Sequence, residues 1–117
     1  MKILATFSVI CLFLVTYGCQ HASIYDCTGV TPTYTKDVKP ILDSYCAMPN
    51  MGCHGASGES SIKLGDYAGA SSASKKKSFM GSIEHLNLYQ NMPKGGVKMP
   101  DAQIHVLSCW VENGSPE

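Results

Sequence analysis

Apolar residues recur with a helical period in three places along this chain. Val38, Ile41, Leu42 and Tyr45 fall at i, i+3, i+4 and i+7; Phe79, Ile83 and Leu86 at i, i+4 and i+7; and Ile104, Leu107 and Val111 repeat the pattern near the C-terminus. The first stripe predicts a helix from about Thr35 that delivers Cys46 at its end. Pro40 is tolerable only within the first turn or so, which moves the start of regular helix later than Thr35. The second predicts a helix over 77–87. The third predicts one from an N-cap at Asp101 to a stop at Gly114, with Trp110 at the margin of the buried face and Cys109 on the opposite side. Residues 55–78 read as a Gly, Ser and Ala-rich connection whose sizeable apolar residues, Ile62, Leu64 and Tyr67, pack on the core. No segment alternates in the manner of a half-buried strand, so the fold class is all-α.

The N-terminal pattern is different. Lys2 followed by the apolar run Ile3 to Tyr17 is a secretory signal in form, about 15 residues where a bilayer-spanning helix needs about 20. It ends at Thr16-Tyr17-Gly18-Cys19, which resembles a bacterial lipobox, although Thr16 and Tyr17 depart from the usual residues. The organisation expected is a lipoprotein-type signal over 1–18, a polar leader over 19–33 and one domain over 34–117, lipid-anchored at Cys19. An ordinary signal peptide is the alternative.

Composition narrows the function classes. With 117 residues, 44% hydrophobic and 15% charged, there is room for one modest core. Formal net charge is zero, which gives no sign of nucleic-acid binding. All nine basic residues are lysine, which weakens bidentate phosphate or carboxylate recognition. Lys75-Lys76-Lys77 is the one charge run: ordinarily a solvated face, alternatively a docking patch for an acidic redox partner. No catalytic triad, paired-carboxylate site or phosphate loop is present, so enzyme chemistry is not expected.

The chemistry lies between Cys46 and Gly55. A cysteine followed directly by histidine, with another cysteine shortly before, is the arrangement that attaches a c-type haem: Cys46 and Cys53 to the porphyrin edge, His54 beneath the iron. Six residues separate the cysteines instead of two. On a continuous helix they would stand roughly 10 Å apart along the axis, so the insert has to bulge out and return, as Pro49, Asn50 and Gly52 permit. Failing that, Cys53-His54 could hold haem through one thioether. For the distal position, Met92-Pro93 on a loop closed by Gly95-Gly96 is favoured. Met99-Pro100 competes, but lies immediately before a helix and could pack in the core. His85 and His105 offer bis-histidine ligation and are more commonly helix-face residues; His21 lies in the leader. If Cys46 and Cys53 take the haem, Cys27 and Cys109 remain to pair, closing a loop of about 80 residues worth several kcal/mol. Four cysteines allow three pairings, and a haem-free protein with two disulfides is the alternative, as is zinc held by Cys46, Cys53, His54 and perhaps Cys109 or His105.

Over 34–117 the chain resembles the small monohaem cytochrome c domains of bacterial surface lipoproteins, class I cytochrome c-like. The resemblance rests on Tyr34, Asp37, Val38, Pro40 and Ile41, then Cys53-His54-Gly55, then Met92-Pro-Lys-Gly-Gly96, and finally Trp110-Val-Glu-Asn-Gly114. It implies three to four helices around one covalently attached haem c, with Cys46 and Cys53 as attachment points, His54 as proximal ligand and Met92 as distal ligand. It also implies one-electron transfer between redox protein partners. The expected setting is an exported, lipid-anchored monomer on the periplasmic or cell-surface side. Relatives often carry their C-terminal cysteine where Ala102 stands; Cys109 is one heptad along and compatible with the same disulfide to Cys27. Methionine ligation and an apolar pocket of Ile41, Leu42, Leu64, Phe79, Ile83 and Leu107 would both raise the potential. The rival reading is a haem-free, disulfide-stapled or zinc-binding lipoprotein acting as a binding or structural module.

Overall fold

The computed structural model describes residues 24–47 and 52–117. The signal segment, Cys19, His21 and most of the 46–53 insert therefore lie outside the described residues. A wide π-helical turn over Tyr34–Val38 runs directly into α1, Lys39–Tyr45; α2 covers Tyr67–Ser74, α3 Lys77–Ile83 and α4 Asp101–Glu112. Among the described residues there is no strand, in keeping with an all-α fold, and no helix is long and apolar enough to cross a membrane.

Regular helix starts later than Thr35, as Pro40 led us to expect, but a wide turn precedes it. Helical winding begins already at Tyr34, but as a wide turn in which Val38 N–H reaches the Thr33 carbonyl at 3.1 Å and Lys39 N–H the Tyr34 carbonyl. Regular α-helix then starts at Lys39, leaving Pro40 in its first turn, where a missing N–H is least costly.

α2 lies inside the stretch expected to be a connection. Its sequence, Tyr-Ala-Gly-Ala-Ser-Ser-Ala-Ser, carries no apolar stripe; it buries Ala70, Ala73 and Ser74, and small residues allow close approach instead of broad apolar contact. Asp66 caps it, its side chain accepting from Gly69 N–H at 2.8 Å. Leu64 is buried as expected and Tyr67 partly so, while Ile62 stays largely exposed. α3 stops earlier than expected, at Ile83. Phe79 and Ile83 are buried, but Leu86 lies beyond the helix and is exposed.

α4 follows its stripe: Ile104 and Leu107 are fully buried and Val111 packs at the edge. Pro100 stands at the N-cap and Asp101 is the first helical residue. Trp110, expected at the margin, is fully buried. The C-terminal tail accounts for this. Gly114, at φ 84°, reverses the chain, Ser115 N–H bonds the Trp110 carbonyl at 2.8 Å, and Trp110 Nε1–H donates to the Pro116 carbonyl at 2.7 Å. Pro116 also accepts Tyr34 N–H at 2.9 Å, so the tail joins α4 to the start of the first helix. The core comprises Tyr34, Val38, Leu42, Leu64, Phe79, Met80, Ile83, Met99, Ile104, Leu107 and Trp110 with Ala70 and Ala73.

Residues 24–33 are fastened to α4. Cys27 and Cys109 form a disulfide, His105 Nε2 donates to the Asp26 carbonyl at 2.9 Å beneath a stacked Tyr25 ring, and Asn113 donates to the Val30 carbonyl.

Candidate functional site

α1 ends at Tyr45 with Cys46 as its C-cap. Cys46 and Ala47 N–H groups both bond back to the Leu42 carbonyl, at 2.8 and 2.9 Å, which closes the final turn. His54 N–H donates to the Cys46 carbonyl at 3.0 Å. Cys46 and His54 therefore meet at the backbone, which a continuous helix from one to the other would not allow.

His54 is held at three atoms. Besides the Cys46 bond, its carbonyl accepts Leu64 N–H at 2.8 Å, and its ring Nδ1 pairs with the Ile62 carbonyl at 2.9 Å. A carbonyl can only accept, so Nδ1 carries the proton and Nε2 keeps its lone pair. This is the arrangement by which metal-ligating histidines are oriented. The segment that supplies these partners is itself tied to the first helix, through the Tyr34 hydroxyl on the Leu64 carbonyl at 3.4 Å and Lys39 Nζ on the Gly65 carbonyl at 3.3 Å.

The two cysteines beside His54 are free thiols in unlike surroundings. Cys46 is half-buried against the core, and burial pushes its thiol up to about 11. Cys53 is exposed. The sulfurs are thus available to a thioether bond, but differ in exposure.

Met92 comes from another part of the chain. It is partly buried on the loop after α3, its N–H bonded to the Ser82 carbonyl at 3.0 Å and its carbonyl to His85 Nε2 at 3.0 Å. Met99 is buried at 2% exposure within the core cluster, the packing role left open for it. His105 lies on the face of α4 as expected, whereas His85 falls just beyond the end of α3, and each ring nitrogen Nε2 donates to a backbone carbonyl. Lys75, Lys76 and Lys77 are exposed at the junction of α2 and α3.

Cys46, Cys53 and His54 do not appear in a cluster of three converging ligand atoms; among the described residues that description applies to Cys27, His105 and Cys109, whose atoms lie within 4.8 Å of one another. There both sulfurs are joined to each other, so Cys109 cannot complete a site with Cys46 and Cys53. A c-type haem would take thiols at the porphyrin edge and an imidazole nitrogen on its iron, and Cys46, Cys53 and His54 carry groups of those kinds. Sequence reasoning missed the Ile62 carbonyl and the role of His85, because both act through backbone contacts that leave no residue-type signal. Compared with known protein families, curated proteins and solved structures, the chain finds no match.

Proposed function

We propose that the protein is a monohaem c-type cytochrome that transfers single electrons, with His54 and Met92 as axial ligands. The observation that carries this reading is His54 itself: it is fastened at N–H, carbonyl and Nδ1, and its N–H is bonded to the backbone of Cys46, the first cysteine of the motif. Cys53, and Cys46 where the insert permits, would hold the porphyrin edge, and His54 and Met92 would supply the protein ligands to the iron. When bound, an iron porphyrin supplies the one-electron couple. The chain's own part is to fix the imidazole tautomer through Ile62, to shelter the ring with Leu42, Leu64, Phe79, Ile83 and Leu107, and to favour reduced iron through a thioether ligand. No proton transfer by a side chain is required, in line with a relay and not an enzyme. Export, anchoring at Cys19 and a redox protein partner met through the exposed lysines belong to the same proposal.

The test is the mass and pyridine haemochrome spectrum of protein co-expressed with a cytochrome c maturation system, for the wild type and Cys46→Ala. A haem-sized mass gain that survives denaturation, with a two-thioether spectrum shifted to the one-thioether form by Cys46→Ala, is the expected result. Covalent haem indifferent to Cys46→Ala would mean attachment at Cys53 alone. Absence of haem in a host that matures other cytochromes would overturn the proposal in favour of a disulfide-stapled binding module.

A further inference from the structure

α3 and α4 end in the same way, with one difference. At the end of α4, Ser115 N–H bonds the Trp110 carbonyl and Gly114 N–H the Val111 carbonyl, with Gly114 at φ 84°. At the end of α3, Leu86 N–H bonds the Gly81 carbonyl at 2.9 Å and His85 N–H reaches the Ser82 carbonyl at 3.4 Å, with His85 at φ 58°. Both are Schellman closures, in which the left-handed position is ordinarily glycine because a Cβ is disfavoured there. A histidine at that position is strained as a cap. Its imidazole, however, does something glycine cannot: Nε2–H donates to the Met92 carbonyl at 3.0 Å.

The rest of the loop is docked on the same helix end. The Tyr89 ring lies against Gly81 so closely that a Cβ on Gly81 would fall within 2.4 to 2.8 Å of ring carbons. Ser82 then accepts Met92 N–H at 3.0 Å. Both backbone groups of Met92 are thereby held, one on each side of its side chain.

We propose that His85 is a positioning residue for Met92: by clamping the Met92 carbonyl it keeps the thioether at a fixed place, and the strain at its own backbone is tolerated for that reason. This rests on the reading of Met92 as distal ligand. It separates two effects that a simple cap would combine. His85→Gly relieves the left-handed backbone yet removes the clamp, so fold stability and thioether ligation should move in opposite directions.

The experiment compares haem-loaded wild type, His85→Gly, His85→Gln and Met92→Ala. The readouts are the weak long-wavelength ferric band of a thioether on iron, cyanide affinity of the ferric protein, and the thermal midpoint by far-UV circular dichroism. His85→Gly is expected to keep or raise the midpoint while weakening the band and binding cyanide roughly three- to tenfold more tightly, the loss of one hydrogen bond. His85→Gln, which retains a side-chain N–H donor, is expected to recover wild-type cyanide affinity. A band and cyanide affinity unchanged in His85→Gly, with the band abolished by Met92→Ala, would overturn this inference and leave the ligand assignment standing. Parallel loss of midpoint and ligation in His85→Gly would also overturn it, marking the bond to the Met92 carbonyl as part of what holds the fold and not as a device for the ligand. A band that survives Met92→Ala, or is missing from the wild type, would overturn the ligand assignment and the inference with it.

Discussion

The α4 end of the molecule and the Cys46 to Leu64 segment are built on opposite plans. Around α4 the cysteine and the tryptophan are used within the protein: Cys109 is fully buried and bonded to Cys27, and Trp110 is fully buried with its indole N–H on Pro116. Around His54 the backbone is pinned, whereas the reactive atoms are left over: two thiols and an imidazole nitrogen. The contrast separates what keeps the fold from what the fold holds ready. Stability should respond steeply to changes at α4 and weakly to changes at His54, and haem retention the other way round.

The sharpest break in that pattern would come from Trp110→Ala. Removing a fully buried indole leaves a cavity and takes away one of the two donors to the Pro116 carbonyl, for an expected loss of about 3–5 kcal/mol in urea unfolding. A loss under about 1 kcal/mol would mean that the tail does not seal the core. The double variant Cys27→Ser, Cys109→Ser follows, at about 2–5 kcal/mol, because the bond spans 82 residues of sequence. Its signature is a lower urea midpoint that matches chemically reduced wild type.

A smaller effect distinguishes the two free thiols in haem-free protein. The folded Cys46 thiol titrates at about 11 and its unfolded counterpart near 9.0, so burial favours the protonated form. Its contribution is fully present below the unfolded value and is lost as pH rises through the folded one, because unfolding releases the proton first. Stability should therefore fall between about pH 9 and 11, by on the order of 2 kcal/mol, in a manner that Cys46→Ala abolishes. In the same protein at neutral pH, an alkylating reagent should modify exposed Cys53 well before Cys46; equal rates would contradict the burial of Cys46. Least of all should His54→Ala alter the haem-free fold. One side-chain hydrogen bond, to Ile62, is lost, for about 1 kcal/mol or less, while haem-loaded protein should lose its low-spin spectrum.

Parts of this were legible in residue order. Ile104 and Leu107 are buried because a 3.6-residue period on a long helix leaves little choice of face. Trp110 was not legible as core: the residues that cover it, Ser115 and Pro116, follow a glycine turn whose direction no periodicity encodes. α2 escaped notice for a related reason. A helix packed through alanine and serine gives no stripe, and its one local signal was Asp66 standing before Tyr67 as a cap. Pro40 suggested a late helix start, whereas the backbone widened its first turn and kept the helix.

The sequence by itself determined an all-α chain, the juxtaposition of Cys53 with His54, and the stripes of the first, third and fourth helices, since residue type and spacing act locally through backbone geometry. Only the tertiary structure decided that Cys27 meets Cys109, that His54 N–H meets the Cys46 carbonyl, and that His85 reaches Met92. These are contacts between backbone groups, or between residues far apart in the chain. Their partners are selected by where the core places each segment, and a carbonyl offers the same acceptor whatever side chain it belongs to.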